Sequence, residues 1–123
     1  MKKALLDSSF IITCVKNKID FFNYLEEEGY KILIPKKVIE EIKHVAESKK
    51  KLKDKDIATL SLKILMMKDF KAIETKGKTT DNSIINYGKE NPETIIATLD
   101  KEIKFKIKNK RLIIRNKKKL ELR

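Results

Sequence analysis

The feature that most constrains the fold is an alternation between short apolar runs and longer segments with helical period. Apolar runs around residues 3–6, 30–34 and 94–99 have the length and the bounded ends of buried strands. Between these runs, apolar side chains recur at spacings of three and four, which is the pattern of amphipathic helices. Strands that alternate with helices predict a mainly parallel sheet covered on both faces, so we expect an α/β fold.

The clearest helical segment begins at Pro35, which suits the first turn of a helix. Val38, Ile39 and Ile42 follow at the spacing of one helix face, which predicts an amphipathic helix there.

The next two segments also lead to definite predictions. The Lys-rich stretch 47–56 indicates a helix end followed by an exposed loop. Residues 57–67 are apolar on most faces, which predicts a well-buried helix with Met66 and Met67 as packing residues.

The local pattern of residues 101–109 is ambiguous. Ile103, Phe105 and Ile107 alternate with lysines, which favours a strand. The pair Ile103 and Ile107 also has the i, i+4 spacing of one helix face, so the pattern leaves both structures open.

The chain carries 30 Lys and Arg against 18 Asp and Glu, which makes its formal net charge +12. Such an excess favours a polyanionic partner, most often nucleic acid. The alternative is that a Lys- and Ile-rich composition reflects an A·T-rich genome or a hot habitat. With room for a single core in 123 residues, we expect one domain over residues 1–116 and a basic tail over 117–123.

Several classes of protein and site are excluded by composition. No apolar run is long enough to span a membrane, and the charges at Lys2, Lys3 and Asp7 argue against a secretory signal. We therefore expect a cytoplasmic protein without membrane contact. The single cysteine, Cys14, excludes an internal disulfide and a Cys-based zinc site, and the single histidine, His44, excludes a multi-His metal site.

Two of the predicted strands run into an aspartate, at Leu6-Asp7 and at Leu99-Asp100. Because the carboxyl ends of parallel strands lie along one edge of a sheet, both carboxylates are expected at the edge where such folds bind ligands. Taken alone, each aspartate could simply cap the helix that follows it.

Two more acids stand at the entrances of predicted helices. On the helix after Pro35, Glu41 lies at the border of the apolar stripe, whereas Glu40 points about 160° from the centre of that stripe. Asp81, beside Asn82, starts a later helix, where capping would also explain it. Clustered carboxylates repel one another unless a cation joins them, and a ligand set of oxygens alone favours Mg²⁺ or Mn²⁺.

Four short motifs carry these acids in order along the chain, namely Ala4–Phe10, Ile34–Ile42, Thr80–Ile85 and Ala97–Asp100. Through them, nearly the whole chain resembles the PIN-domain nucleases, a family that includes ribosome-processing nucleases and the toxins of VapBC toxin–antitoxin pairs. The third motif departs from the family's frequent Asp-Asp pair, because Asn82 follows Asp81. The resemblance implies a three-layer α/β/α sandwich with a mainly parallel central sheet, and it implies a helix over residues 101–109.

The resemblance also implies a metal-dependent ribonuclease. In this family's pattern, one or two Mg²⁺ or Mn²⁺ ions activate a water that attacks an RNA phosphodiester. The residues that would hold the ions are Asp7, Glu41, Asp81 and Asp100. Beside them, Ser9 and Thr98 would orient the aspartates, and Asn82 would act as a ligand or a hydrogen-bond partner.

The expected partners follow from the same resemblance. RNA in single-stranded form is the expected substrate, an antitoxin protein would accompany a toxin, and a homodimer stays open. Lysines would bind the flanking phosphates without sequence preference, although a solvated charge run is the alternative. The lysines selected for this role are Lys49, Lys50, Lys51, Lys53, Lys55 and Lys78.

Two other functions are compatible with a small α/β domain of this kind. A phosphoacceptor receiver domain has a similar length and Mg²⁺ site but needs an acidic pair after its first strand, whereas Ser8 and Ser9 follow Asp7 here. A PIN-like module that binds RNA or a partner without cutting stays open. So does the choice between a toxin and an RNA-processing nuclease.

Overall fold

A computed structural model describes residues 1–49 and 51–123 of the chain. The described residues form six strands and six helices. The strands are β1 Lys3–Leu6, β2 Lys31–Pro35, β3 Lys71–Ile73, β4 Ile95–Ala97, β5 Arg111–Arg115 and β6 Lys119–Leu122. The helices are α1 Ser8–Lys16, α2 Phe21–Glu27, α3 Lys36–Glu47, α4 Leu52–Met67, α5 Thr80–Glu90 and α6 Lys101–Lys106. None of the helices in this described part is long and apolar enough to cross a membrane.

The strands form one sheet in the order β3-β2-β1-β4-β5-β6. Neighbouring strands from β3 to β5 run parallel, and β6 runs antiparallel to β5. The central strand β1 places Leu5 opposite Leu33 on one side and opposite Ile96 on the other. Leu5 is fully buried, as a central parallel strand covered on both faces requires. The predicted α/β fold with a mainly parallel sheet is confirmed.

The helices fall into two groups on opposite faces of the sheet. Helices α1, α3 and α4 contact one another, and α5 contacts α6. The connections through α1–α4 step from β1 towards β3, whereas those through α5 and α6 step towards β5. Because crossovers between parallel strands are right-handed, this reversal of direction puts the two groups on opposite faces. The reversal also makes the boundary between β1 and β4 the switch point at which open α/β sheets bind ligands.

Aromatic residues of α1 and α2 fill the core beside the sheet. The Phe10 and Phe21 rings meet edge to face with centroids 5.9 Å apart, and Phe21 and Phe22 lie 4.8 Å apart. Cys14 is buried among them, and this burial raises the pKa of its thiol to about 12. A thiol held neutral in this way is a packing residue rather than a nucleophile.

The structure corrects the predicted loop over residues 47–56 and the predicted buried helix over 57–67. Helix α4 already begins at Leu52, and it buries only one stripe of side chains against α1 and α3. Its buried residues are Ala58, Ser61 and Leu65. Met66 and Met67 are 87% and 82% exposed, so their interpretation as packing residues is wrong.

The basic stretch 117–123, predicted as a tail, instead contributes strand β6, which pairs with β5. The turn between the two strands has positive φ angles at Asn116 and Lys117, which is conformationally easier for Asn than for most residues. The alternation of half-buried Leu120 and Leu122 with charged neighbours is the local signal for this strand.

The ambiguous segment 101–109 contains helix α6, as the family resemblance implies and against the local alternation. Asp100 caps the helix through a hydrogen bond from the backbone N–H of Glu102, and Ile103 is fully buried. The cap and the burial of this side chain outweigh the strand-like period.

Candidate functional site

Asp7 occupies the junction between β1 and α1, at the switch point of the sheet. Its backbone N–H donates to Ala97 O at 2.9 Å, which ties the end of β1 to β4. Its side chain is 4% exposed and is the N-cap of α1, where one oxygen accepts from Ser8 N at 2.8 Å. The other oxygen accepts from Thr98 Oγ1 at 2.6 Å and from Ser9 Oγ at 3.2 Å. The Asp7 carboxylate is therefore held rigidly in place.

The two hydroxyls that bind Asp7 also position the segment after β4. Thr98 Oγ1 accepts from Asp100 N at 3.1 Å, and Ser9 Oγ accepts from Leu99 N at 3.1 Å. Because each hydroxyl accepts a backbone N–H, its single proton is free to be donated to Asp7. Ser9 and Thr98 thus connect Asp7 to the backbone that carries Asp100.

Glu41 comes from α3 and turns its carboxylate towards the same edge. Its Oε1 accepts from Ser8 Oγ at 3.1 Å, and Thr80 is a second hydrogen-bond partner. Although the residue as a whole is exposed, its carboxyl group is partly desolvated. This desolvation, together with the charges of Asp7 and Asp81, raises the pKa of Glu41 above its ordinary value.

Asp81 lies in the first turn of α5 and faces the acid that ends the β4 connection. Desolvation, followed by the charges of Asp100 and Asp7, raises the pKa of Asp81 above its ordinary value. The Asp81 and Asp100 side chains are therefore close enough to interact.

The four acids thus come together from four elements of the chain. In the described part of the chain, none of them forms an ion pair with a lysine or arginine; the ion pairs there involve Glu74 and Glu121. Over residues 1–49 and 51–123, however, no group of three or more acidic, histidine or cysteine side chains is arranged so that it could hold a metal ion. The donor set nevertheless suits a hard divalent cation, because it consists of oxygens whose mutual repulsion lacks a basic counter-charge.

Comparison with known proteins identifies the family of this chain. Residues 4–119 match the family described as "PIN like domain". The chain belongs to the PIN-like domain family. The predicted resemblance is confirmed.

Individual relatives of this PIN-like domain show the same relationship. It is 31% identical to "Ribonuclease VapC4" of Methanocaldococcus jannaschii, and the match covers 99% of this chain and 97% of that one. Its fold is similar to that of the PIN domain endonuclease Utp24, with a TM-score of 0.77, 22% identity, and 98% and 90% of the two chains covered. A domain of a functionally unknown protein from the same archaeon matches at a TM-score of 0.55, with 20% identity and coverage of 84% and 81%.

Not every residue selected from the sequence lies among the acids of this PIN-like domain. Asn82 is exposed in the first turn of α5, and its backbone N–H donates to Thr79 Oγ1 at 3.1 Å. Four of the selected lysines lie on the segment after α3 or in the first turn of α4. These lysines are Lys49, Lys51, Lys53 and Lys55; Lys50 falls outside the described residues.

Lys78, by contrast, lines a groove of about 680 Å³ that opens beside Glu41. The groove runs between α3 and the start of α5. His44 also lines it, as an exposed residue of the helix surface.

Sequence reasoning missed Lys37, which ties α3 to the loop before α5. Its Nζ donates to Ser83 Oγ at 2.9 Å and to the Gly77 carbonyl. Gly77 has a φ of +155°, and a Cβ there would approach Ser83 N to 2.7 Å, so the loop packs tightly on α5. Lys37 stands four positions before Glu41, so the two residues share one face of α3. This spacing is the sequence signal from which Lys37 could have been predicted.

Proposed function

We propose that this chain is a metal-dependent ribonuclease of the PIN type, which hydrolyses RNA phosphodiester bonds with Mg²⁺ or Mn²⁺. The observation that carries the proposal is the electrostatic interaction of four carboxylates near the switch point of the sheet, where the described residues supply no ion-pair partner for them. The relationship to Ribonuclease VapC4 over almost the full length of both chains supports the same activity.

The residues proposed to hold the metal are Asp7, Glu41, Asp81 and Asp100. A bound divalent ion supplies positive charge that acidifies a water and neutralises charge on the phosphate. The protein contributes a fixed orientation, since Ser9 and Thr98 hold the Asp7 carboxylate. Cation binding would also relieve the repulsion that, after desolvation, raises the pKa of Asp81.

Cleavage of single-stranded RNA by the purified protein is the direct test. We expect cleavage with Mg²⁺ or Mn²⁺, none in EDTA, and a loss of at least about a hundredfold for Asp7→Asn. Asp20→Asn is the matched control, because Asp20 caps α2 as Asp7 caps α1, and Asn also caps well. Intact RNA in the presence of either metal would contradict the ribonuclease activity and favour the module that binds without cutting.

For the biological role we propose a toxin of the VapBC type, which an antitoxin protein would neutralise in the cytoplasm. The support is the relative named VapC4. An RNA-processing nuclease would use the same acids, so an activity assay does not separate the two roles. The test is the growth of cells that express the protein. A toxin arrests cells that express it, whereas Asp7→Asn does not, and growth unaffected by an active enzyme would contradict the toxin role.

A further inference from the structure

An exposed aromatic ring stands among cations immediately beyond the acidic site. Helix α6 begins directly after Asp100, and Phe105 near its end is 93% exposed. A groove of about 450 Å³ opens there, lined by Phe105 together with Lys101, Lys104 and Arg111. The fully buried Ile103 anchors the helix, which leaves the ring of Phe105 facing outwards.

The cations of this groove have no acidic partner in the described part of the chain, where the ion pairs involve other residues. Partial burial, followed by the charges of Arg111 and Lys101, lowers the pKa of Lys104 below its ordinary value. The nearby Glu102 acts electrostatically on Asp81, and it is not among the residues lining the groove. Crowded cations without a counter-ion favour the binding of an anion.

We propose that this groove binds the substrate strand beside the cleavage site, with one base stacked on Phe105 and an adjacent phosphate held by Lys104 and Arg111. The inference rests on the proposed ribonuclease function. It adds the path of the RNA strand, which would run from the acidic site along α6. A single exposed aromatic residue is ordinary on a protein surface. An aromatic face within a positively charged groove, however, is the combination that binds single-stranded nucleic acid.

The position of the ring fits this path. Phe105 lies five residues beyond Asp100, which is about 8 Å along a helix axis. Lys101, which directly follows Asp100, lines the same groove as the ring, so the groove begins next to the acidic site in the chain. Those of the selected lysines that the structure describes are not among the residues lining this groove.

The test is the affinity of a labelled single-stranded RNA, measured by fluorescence anisotropy in EDTA over a range of salt concentrations. We expect Phe105→Ala and Phe105→Leu to weaken binding by roughly five- to a hundredfold at every salt concentration, because the stacked face is lost. Phe105→Trp keeps a stacking face and retains affinity. Met67→Ala is the control, since this side chain is 82% exposed on α4, away from the groove.

The salt dependence separates stacking from phosphate contacts. Lys104→Ala should reduce the slope of log affinity against log salt by about 0.7, which corresponds to one phosphate contact on a single strand, whereas the Phe105 variants leave the slope unchanged. Circular dichroism checks that each variant is folded.

The outcomes distinguish this inference from the proposed function. If Phe105→Ala binds RNA as the natural protein does, the groove inference is overturned, even where the enzyme cleaves RNA. If the natural protein does not cleave RNA but Phe105→Ala weakens its RNA binding, the groove inference is supported and the proposed ribonuclease activity is contradicted. If Phe105→Ala keeps its RNA affinity but loses self-association in sedimentation, the groove is a protein contact and the inference is wrong.

Discussion

The side chain of Asp7 shows how one residue is given a single orientation. It accepts hydrogen bonds from a backbone N–H and from two hydroxyls, Ser9 and Thr98, and 91 positions of sequence separate it from Thr98. A buried carboxylate with its oxygens satisfied in this way has little freedom to rotate. Thr98 therefore acts as a positioning residue for the proposed metal site.

Thr98→Val removes the hydroxyl but keeps the shape of the side chain. We expect a loss of roughly 10- to 100-fold in metal affinity or in kcat, which is typical for residues that orient a metal ligand. The measurements are Mn²⁺ titration calorimetry and RNA cleavage kinetics.

Two further variants complete the Thr98 test. Thr98→Ser keeps the hydroxyl and should restore most of the loss, whereas Thr13→Val on α1 removes a hydroxyl outside this network and should have little effect. Equal behaviour of Thr98→Val and the natural protein in both assays would refute the positioning role.

At the scale of elements, the acids on α3 and α5 depend on how these two helices are connected. Lys37 spans from α3 to Ser83 on α5 and to the carbonyl of Gly77 in the preceding loop. Because Ser83 follows Asp81 by two positions and is fully buried, this contact sets the distance between Asp81 and Glu41.

Lys37→Met should loosen this connection while keeping the length of the side chain. We expect kcat to fall by about tenfold with a smaller change in KM, since a small displacement of an acid impairs positioning more than RNA binding. Cleavage kinetics at saturating RNA provide both constants.

The neighbouring Lys36 supplies the control for Lys37. It pairs with Glu74 at 3.0 Å on the surface, with 54% and 83% of the two side chains exposed, and such pairs contribute little to stability. Lys36→Met should leave kcat unchanged. A Lys37→Met enzyme that lost only RNA affinity would show that Lys37 contacts the substrate instead.

At the scale of the whole molecule, the site opposes folding in the absence of a cation. Glu41 and Asp81 have folded-state pKa values raised above 4.5 and 3.8 respectively. The folded protein therefore binds more protons than the unfolded chain as these groups titrate. Their contribution to stability is present at low pH and is lost as pH rises through the raised values.

Asp81→Asn should consequently raise the Tm of the metal-free protein relative to the natural protein, and the gain should grow as pH rises from about 4 to 7. Differential scanning calorimetry in EDTA measures the difference. A gain for Asp81→Asn that was independent of pH would point to packing rather than to repulsion among the acids.

Much of the architecture could be predicted from the sequence. The apolar runs and the helical spacing after Pro35 correspond to β1, β2, β4 and α3, because periodicity specifies which local structure can bury one face. Periodicity did not show which face of α4 would find a partner. Met66 and Met67 therefore looked like core residues, yet they face outwards.

For the candidate site, too, one part was predictable from the sequence and the other was not. The sequence alone predicted the acids and their order, since an aspartate near the carboxyl end of a buried strand is expected at the sheet edge. Only the tertiary structure decided their partners: the hydroxyls on Asp7, the Ser8 hydroxyl on Glu41 and the Lys37 connection. It also exposed the ring of Phe105 to solvent, and it paired residues of the predicted tail with β5 as strand β6. The reason is that these features depend on contacts between residues far apart in the chain, which local patterns do not encode.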